Sequence, residues 1–149
     1  MNLPEKLPIL RIEDYHTHYL GRVNDGRLFW GYETFVFTKP YSEIKEGEWK
    51  KFRKEYAILH TFDSNGNLLE TKNWSKFTDD DSADTSDMLD KMCTGFGSFV
   101  YNNIEIKVFQ TIIDGIAFGL IPNSETNTID LQPSSTISFS EPWDGEYYT

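Results

Sequence analysis

The chain has 149 residues and a mass of 17.4 kDa, which is the size of one domain with a substantial hydrophobic core and too short for two such domains. Its formal charge is −10, and aromatic residues make up 15% of it. The aromatic content excludes a disordered acidic tail, and the overall composition excludes collagen-like and low-complexity classes. The sequence therefore predicts a single globular domain over residues 1–149.

The first part of the chain is predicted to be extended and then to form a hairpin. Pro4 and Pro8 bias the residues before them away from helix. Segments 19–23 and 27–38 flank Asn24-Asp25-Gly26, whose residue types tolerate the positive φ angles of a tight turn. Both faces of segment 27–38 carry bulky side chains, which is typical of an interior strand.

A second hairpin is predicted after a segment that the pattern does not decide. Residues 43–53 are polar with irregularly spaced apolar residues, so a short helix and a long loop are both compatible with them. Residues 55–62 have the pattern of a strand, residues 63–67 that of a turn, and residues 68–74 that of the returning strand.

The main helix is predicted at about residues 84–94. Asp84, or either of the two residues after it, can cap the helix because its side-chain oxygen accepts from amides of the first turn. Apolar residues from Met88 to Met92 follow at helical spacing, and Gly95 provides a natural end.

The last third of the chain has the character of β-structure. Residues 104–108 alternate strictly between apolar and charged side chains, and we expect this arm to continue unbroken to residue 113. Asp114-Gly115 is a tight-turn signal, and residues 116–121 are the predicted partner strand.

Two weaker strands and a packed tail complete the prediction. The weaker strands are expected near residues 128–131 and 136–139. The tail from Pro142 to Thr149 is aromatic to its end, so we expect it to pack against the body of the protein. The predicted fold class is α+β, a mostly antiparallel β-sheet built from hairpins with one main helix packed on it.

The segment between residues 79 and 90 is rich in aspartate and contains no Lys or Arg. A calcium-binding loop needs a glycine at its sixth position and a bidentate acid at its twelfth, and this segment does not satisfy that spacing. It is either a solvated helix start, where negative charge suits the helix dipole, or a surface that meets a basic partner. The candidate partner-binding residues are Asp79, Asp80, Asp81, Asp84 and Asp87.

Histidines provide the alternative candidate site. His16 and His18 are two residues apart, so on a strand they would share a face and could reach one metal ion, with His60 as a third ligand. The spacing matches no recognised metal motif. We therefore expect surface or hydrogen-bonded histidines and no metal, with a small metal-dependent enzyme as the alternative.

The sequence predicts no catalytic residue and no cofactor. Cys93, the one cysteine, lies among apolar residues of the predicted helix, so we expect a buried and unreactive thiol. There is no Gly-x-Ser-x-Gly motif, and segment 94–98 contains glycines but lacks the Lys-Ser/Thr ending of a phosphate-binding loop.

One basic stretch interleaves cations with aromatic residues, a combination that single-strand nucleic-acid binders use. Glutamates within the same stretch reduce its charge, and the net charge of −10 repels a polyanion, so nucleic-acid binding is not favoured. The cations are Lys45, Lys50, Lys51, Arg53 and Lys54.

We expect a cytoplasmic protein that does not enter a membrane. The N-terminal residues include two prolines and a glutamate where a signal peptide needs an apolar stretch. The longest apolar stretch, residues 116–121, is far below the roughly 20 residues of a bilayer span.

Three blocks of the chain resemble known proteins. The blocks are Pro8-Ile-Leu with Tyr15-His-Thr-His-Tyr-Leu-Gly-Arg22 and Asp25-Gly-Arg-Leu-Phe-Trp-Gly31, then Tyr56-Ala-Ile-Leu-His-Thr-Phe-Asp-Ser-Asn-Gly66, and finally Pro142-Trp-Asp-Gly-Glu-Tyr-Tyr-Thr149. With these blocks the chain resembles a family of small bacterial proteins labelled "formate hydrogenlyase regulatory protein". The Asp-rich middle is not part of the resemblance, and family members have an acid where Tyr148 stands. The resemblance implies a regulator of transcription, and it brings no catalytic residues with it.

The leading hypothesis is a non-catalytic bacterial protein of the cytoplasm that binds another, basic protein through an acidic surface. Small acidic, aromatic-rich α+β proteins share this physical character with immunity proteins that block cationic toxins, so a regulatory or immunity-like role is expected. The alternatives are a metal-dependent enzyme using His16 and His18, and a transcriptional regulator.

Overall fold

The computed structural model describes residues 1–134 and 137–149. In this part of the chain a single α-helix, α1 (Thr85–Thr94), accompanies the strands, and two short 3-10 turns span Tyr41–Glu43 and Trp49–Lys51. The strands, in chain order, are β1 (Leu7–Ile9), β2 (Tyr19–Val23), β3 (Leu28–Phe37), β4 (Arg53–Phe62), β5 (Leu68–Phe77), β6 (Phe99–Tyr101), β7 (Ile104–Ile106), β8 (Phe109–Ile113), β9 (Ile116–Asn123), β10 (Thr128–Gln132), β11 (Ser138–Ser140) and β12 (Tyr147–Tyr148).

The strands form two five-stranded antiparallel sheets and one two-stranded ladder. The strand order is β5-β4-β3-β2-β6 in the first sheet and β12-β11-β10-β9-β8 in the second. β1 pairs with β7 as a separate ladder. This arrangement confirms the predicted α+β class, with mostly antiparallel strands and one main helix.

The three tight turns predicted from sequence each join neighbouring strands. They connect β2 to β3, β4 to β5 and β8 to β9. In the first turn Gly26 has a φ angle of +98°, a conformation that a side chain would strain. β3 lies at the centre of the first sheet, as its two bulky faces predict.

One hydrophobic core lies between the inner faces of the two large sheets. The ring centres of Tyr56 and Phe118 are 5.0 Å apart, and those of Phe62 and Phe109 are also 5.0 Å apart. Such edge-on aromatic pairs add about 0.5–1.5 kcal/mol beyond the area they bury. The two-stranded ladder adds Leu7, Ile9, Ile104 and Ile106 to the same core.

The predicted continuous arm from residue 104 to residue 113 is wrong. The chain leaves the strand conformation at Lys107 and Val108, so β7 pairs with β1 while β8 pairs with β9 in another sheet. The break resets the alternation, because Val108 is 37% exposed and Phe109 is 8% exposed. Burying the larger aromatic side chain therefore overrides the regular pattern of the sequence.

The remaining predicted segments divide into three outcomes. The undecided stretch 43–53 is a loop of bends and turns that contains the 3-10 turn Trp49–Lys51, and β4 begins at its last residue. The strand predicted near 128–131 is β10, whereas the start of the one predicted at 136–139 lies outside the described residues. The aromatic tail packs back as predicted: β12 pairs with β11, and Trp143 Nε1 donates to the Asn2 carbonyl over 3.2 Å.

Helix α1 packs on the outer face of the first sheet, above β3 and β4. Thr85, Leu89 and Cys93 are buried and are four residues apart, so they form the stripe that faces the sheet. A methyl group at position 31 would lie 3.0 Å from Leu89 Cδ2, so Gly31 gives the leucine the room to approach the strand. The helix thus fixes the segment before it against this face of the sheet.

We expect Leu89→Ala to lower the free energy of unfolding by about 2–5 kcal/mol, because it leaves a cavity between helix and sheet. Leu69→Ala on β5 is the control: Leu69 is 55% exposed, and its loss should change stability by about 0.5 kcal/mol or less. Urea unfolding measures both. Equal midpoints for the two variants would contradict this account of helix docking.

Candidate functional site

The acidic segment, residues 79–90, leads from the end of β5 through the first turns of α1. All six of its aspartates are exposed. The segment sits at one edge of the outer face of the first sheet, because Lys76 Nζ donates to the Asp80 carbonyl over 2.8 Å and the Asp79 N–H donates to the Lys50 carbonyl over 3.3 Å. These bonds present its carboxylates to solvent on the helix side of the protein.

Two of the candidate aspartates accept hydrogen bonds from backbone N–H groups of the segment itself. Asp84 is the N-cap of α1, and its Oδ1 accepts from the Asp87 N–H over 2.7 Å. Asp80 Oδ1 accepts from the Ser82 N–H over 2.9 Å, and this bond lowers the pKa of the Asp80 carboxyl. The solvated-helix-start interpretation therefore accounts for Asp84 and Asp80.

The other candidate aspartates are not explained in this way. Within residues 1–134 and 137–149, the carboxylates of Asp79, Asp81 and Asp87 have no hydrogen bond and no ion pair. Three exposed negative charges close together in sequence repel one another. Asp87 lies in the first turn of α1, where negative charge suits the helix dipole. The solvated-helix-start interpretation therefore covers Asp87 but not Asp79 and Asp81.

A cleft of about 290 Å³ opens beside the N-terminal half of α1, and we call it the Tyr15–Glu33 cleft. Its walls come from the loop before β2, from β3 and from the helix. Its lining contains two carboxylates and the rings of two tyrosines but neither Lys nor Arg, and Tyr32 borders it with its ring buried in the core between the sheets. The lining residues are Asp14, Tyr15, His18, Tyr19, Tyr32, Glu33, Ser86 and Leu89.

The loop wall of the cleft is held in place by partly buried hydrogen bonds. Trp30 Nε1 donates to the His16 carbonyl over 2.9 Å, and Arg11 Nε donates to the His18 carbonyl over 2.9 Å. Thr17 between them is fully buried. The loop therefore carries Tyr15, which is 66% exposed, on a fixed support.

The helix wall is tied to the same loop through a tyrosine. The Tyr19 hydroxyl donates to Asp90 Oδ1 over 2.7 Å, and burial together with this bond raises the pKa of Tyr19. This bond joins the acidic segment to the rim of the cleft. The floor is formed by Glu33, whose half-buried carboxylate accepts a hydrogen bond from the Thr85 hydroxyl.

The structure does not place His16 and His18 on a strand, so the prediction that they share a strand face is wrong. Residues 14–18 form a turn, and β2 begins at Tyr19. His16 Nδ1 lies 2.7 Å from Glu13 Oε1, whereas His18 Nδ1 faces the Arg11 guanidinium over 3.2 Å. The turn is imposed by the Glu13 and Arg11 contacts, which the two-residue spacing did not reveal.

His60 is a core residue of β4. Its Nε2 lies 2.8 Å from the Tyr32 hydroxyl, and its Nδ1 lies 2.8 Å from Thr71 Oγ1, so both ring nitrogens are occupied. Burial lowers its pKa to about 3. Among the described residues no three His, Cys, Asp or Glu side chains form a group that could hold a metal ion, so the three histidines are not brought together.

The lone cysteine is buried, as predicted. Cys93 is 2% exposed beneath α1, where it packs with Val23, Phe29 and Leu59. Burial, with a smaller effect of Asp90, raises its pKa to about 11. The thiol is therefore protonated at neutral pH and a poor nucleophile.

The basic stretch is largely neutralised by carboxylates. Three of the five cations form ion pairs: Arg53 with Glu55, Lys54 with Asp114, and Lys51 with Glu48. Arg53 also lies over the Phe35 ring, with its guanidinium carbon 4.0 Å from the ring centre. These partners leave little free positive charge for a phosphate backbone.

Comparisons with protein-family models, with curated proteins and with solved structures find no match for this chain. The resemblance to the family labelled as a formate hydrogenlyase regulator thus stays a prediction. In the parts of the chain that the structure describes, no helix combines the length and the hydropathy of a membrane span.

Sequence reasoning missed the Tyr15–Glu33 cleft, because its walls come from three separated segments. One signal for it was present. On β3, Glu33 shares a face with Phe29 and Phe35. A single acid among aromatic residues on one strand face indicates that the carboxylate has a hydrogen-bonding or charged partner there. The tertiary contact with Thr85 could not be read from that pattern.

We expect Asp84→Ala to lower the free energy of unfolding by about 1 kcal/mol, because α1 loses its N-cap. Asp81→Ala removes an equal charge from a position with no such bond and should leave stability within about 0.5 kcal/mol of wild type. Thermal or urea unfolding distinguishes the two. An equal loss in both variants would show that charge, and not capping, controls this segment.

We also expect stability to fall with pH between about 6.5 and 3. The pKa of His60 is about 3 in the folded protein and 6.5 in a model peptide, so the unfolded chain binds the proton first and is favoured as pH falls. His60 adds a slope of at most about 1.4 kcal/mol per pH unit in this range, with full stability above pH 6.5.

Urea unfolding between pH 7 and pH 5 checks this slope before most carboxylates titrate. His60→Gln should lose the slope, whereas His18→Gln should keep it because His18 is 36% exposed. A slope that survives in His60→Gln would contradict the assignment.

Proposed function

We propose that this protein binds a basic protein partner through an acidic face made of the acidic segment and the rim of the Tyr15–Glu33 cleft. The observation that carries the proposal is the set of exposed aspartates whose carboxylates make no hydrogen bond or ion pair among the described residues, namely Asp79, Asp81 and Asp87. Because the net charge of the whole protein is also negative, at −10, this face attracts a cationic surface at long range.

The proposed role is regulatory or immunity-like: a bacterial protein of the cytoplasm that masks a cationic surface of its partner. Electrostatic attraction speeds the encounter, while apolar and hydrogen-bonding groups near the charges give the complex its lifetime. The tyrosines of the cleft supply such groups directly beside the carboxylates.

The two alternatives receive less support from the described residues. A metal-dependent enzyme needs converging ligands, and His60 is occupied within the core. A transcriptional regulator needs clustered free cations, and Arg53 and Lys54 are paired with Glu55 and Asp114. A gel shift at physiological salt that showed specific DNA binding would favour the regulator instead.

The test begins with capture of the partner from a bacterial lysate and continues with binding kinetics at several salt concentrations. We expect the triple variant of Asp79, Asp81 and Asp87 to Asn to slow association about tenfold or more at low salt and to flatten the salt dependence. Both effects follow from removing three charges that face the partner.

The matched control removes three exposed acids from the second sheet and its turns by changing Glu125, Glu141 and Glu146 to Gln. This control has the same net charge as the triple aspartate variant. If both variants slowed association equally, net charge and not the acidic face would be responsible, and the proposal would be wrong.

A further inference from the structure

The Tyr15–Glu33 cleft has the chemistry of a site for one cationic side chain. We infer that it binds an arginine side chain of the partner. This inference rests on the proposed function and goes beyond it, because it names the anchoring group and the place where that group enters.

The cleft has an excess of negative charge. The Glu33 carboxylate accepts one hydrogen bond, from Thr85, and no Lys, Arg or His among the described residues forms an ion pair with it. Asp14 is 97% exposed at the rim and lies 3.6 Å from His18 Nδ1. A half-buried carboxylate next to a second acid gains most from a cation with several donors.

The aromatic walls favour guanidinium over ammonium. The rings available to a ligand are those of Tyr15 and Tyr19, because Tyr32 turns its ring into the core between the sheets. A guanidinium group stacks on aromatic rings and donates in a fork to a carboxylate, and it is more weakly hydrated than an ammonium group. This combination is the one in which arginine and lysine differ most.

The size of the cleft fits one side chain. Its volume of about 290 Å³ is at or below the lower end of the range for sites that enclose drug-sized ligands, roughly 300–1,000 Å³. Its walls are also fixed beforehand, through the bond from Trp30 to the loop and the bond from Tyr19 to Asp90. A preformed site loses little conformational entropy when it is filled.

The protein uses the same chemistry within its own chain next to this site. A second cleft shares Tyr15 and Glu33 with the first, and its lining includes Arg53. That guanidinium pairs with Glu55 over 3.1 Å and stacks on the Phe35 ring at 4.0 Å. A carboxylate and an aromatic ring thus hold an arginine on one side of Glu33, and the other side offers the same groups to a partner.

The probe is an acetylated and amidated Gly-Gly-Arg-Gly-Gly peptide, titrated into the ¹⁵N-labelled protein and followed by NMR. We expect saturable shifts confined to residues 14–19, 31–33 and 85–90. The lysine peptide should bind at least about threefold more weakly, and the neutral citrulline peptide should cause no saturable shift. Equal shifts with arginine and lysine, or shifts spread along the acidic segment alone, would overturn the inference.

Two variants test the named groups. Glu33→Gln keeps an oxygen for the Thr85 hydroxyl but loses the charge, and it should weaken the arginine peptide about tenfold. Tyr15→Ala should weaken it about threefold. The controls, Glu125→Gln and Tyr148→Ala, remove the same charge from an exposed acid and the same ring from a 68% exposed tyrosine elsewhere, and they should bind as wild type. Thermal melts confirm that each variant is folded.

The same variants separate failure of this inference from failure of the proposed function. If the triple aspartate variant loses the protein partner while Glu33→Gln and Tyr15→Ala keep it at wild-type affinity, the acidic face stands and the arginine site is wrong. If Glu33→Gln and Tyr15→Ala weaken the partner through faster dissociation, the inference is supported.

Discussion

The seating of helix α1 on the outer face of the first sheet is the constraint on which the candidate site depends. Gly31 leaves room for Leu89 on β3, since a methyl group there would lie 3.0 Å from Leu89 Cδ2, and Leu89 forms the buried stripe of the helix together with Thr85 and Cys93. The acidic segment and one wall of the Tyr15–Glu33 cleft are parts of that helix or lead directly into it. A displaced helix would therefore separate the carboxylates from the tyrosines.

The aspartates of the acidic segment differ in whether they accept hydrogen bonds within the fold. Asp84 and Asp80 hold the backbone around the helix start, and Asp90 holds Tyr19 at the cleft. Asp79 and Asp81 extend from the same segment, and their carboxylates make no such bond within the described residues. Exposed like charges repel one another, and in the proposed function a cationic partner offsets that repulsion.

Features that depend on local sequence were predictable. The three hairpin turns follow from Asn, Asp and Gly at short spacing, and the bounds of α1 follow from Asp84 as cap and Gly95 as end. The interior position of β3 follows from bulky residues on both of its faces.

Features that depend on competition between distant groups were not predictable. Strict alternation predicts that Val108 is buried, but Phe109 is buried in its place. Which of the two side chains is buried depends on the space between the two sheets, and local sequence does not contain that information. The turn at residues 14–18 depends on Arg11 and Trp30, and the cleft depends on contacts among three segments. Of the site, the sequence indicated the acidic segment but not the tyrosines beside it.

Hydrogen–deuterium exchange of the complex with the captured basic partner shows whether the acidic face is the binding surface. Binding should slow exchange in residues 13–19 and 79–90 together, while β9, β10 and the turn between them on the second sheet are unaffected. Protection that falls on the second sheet, with the acidic segment exchanging as in the free protein, would show that the partner binds elsewhere.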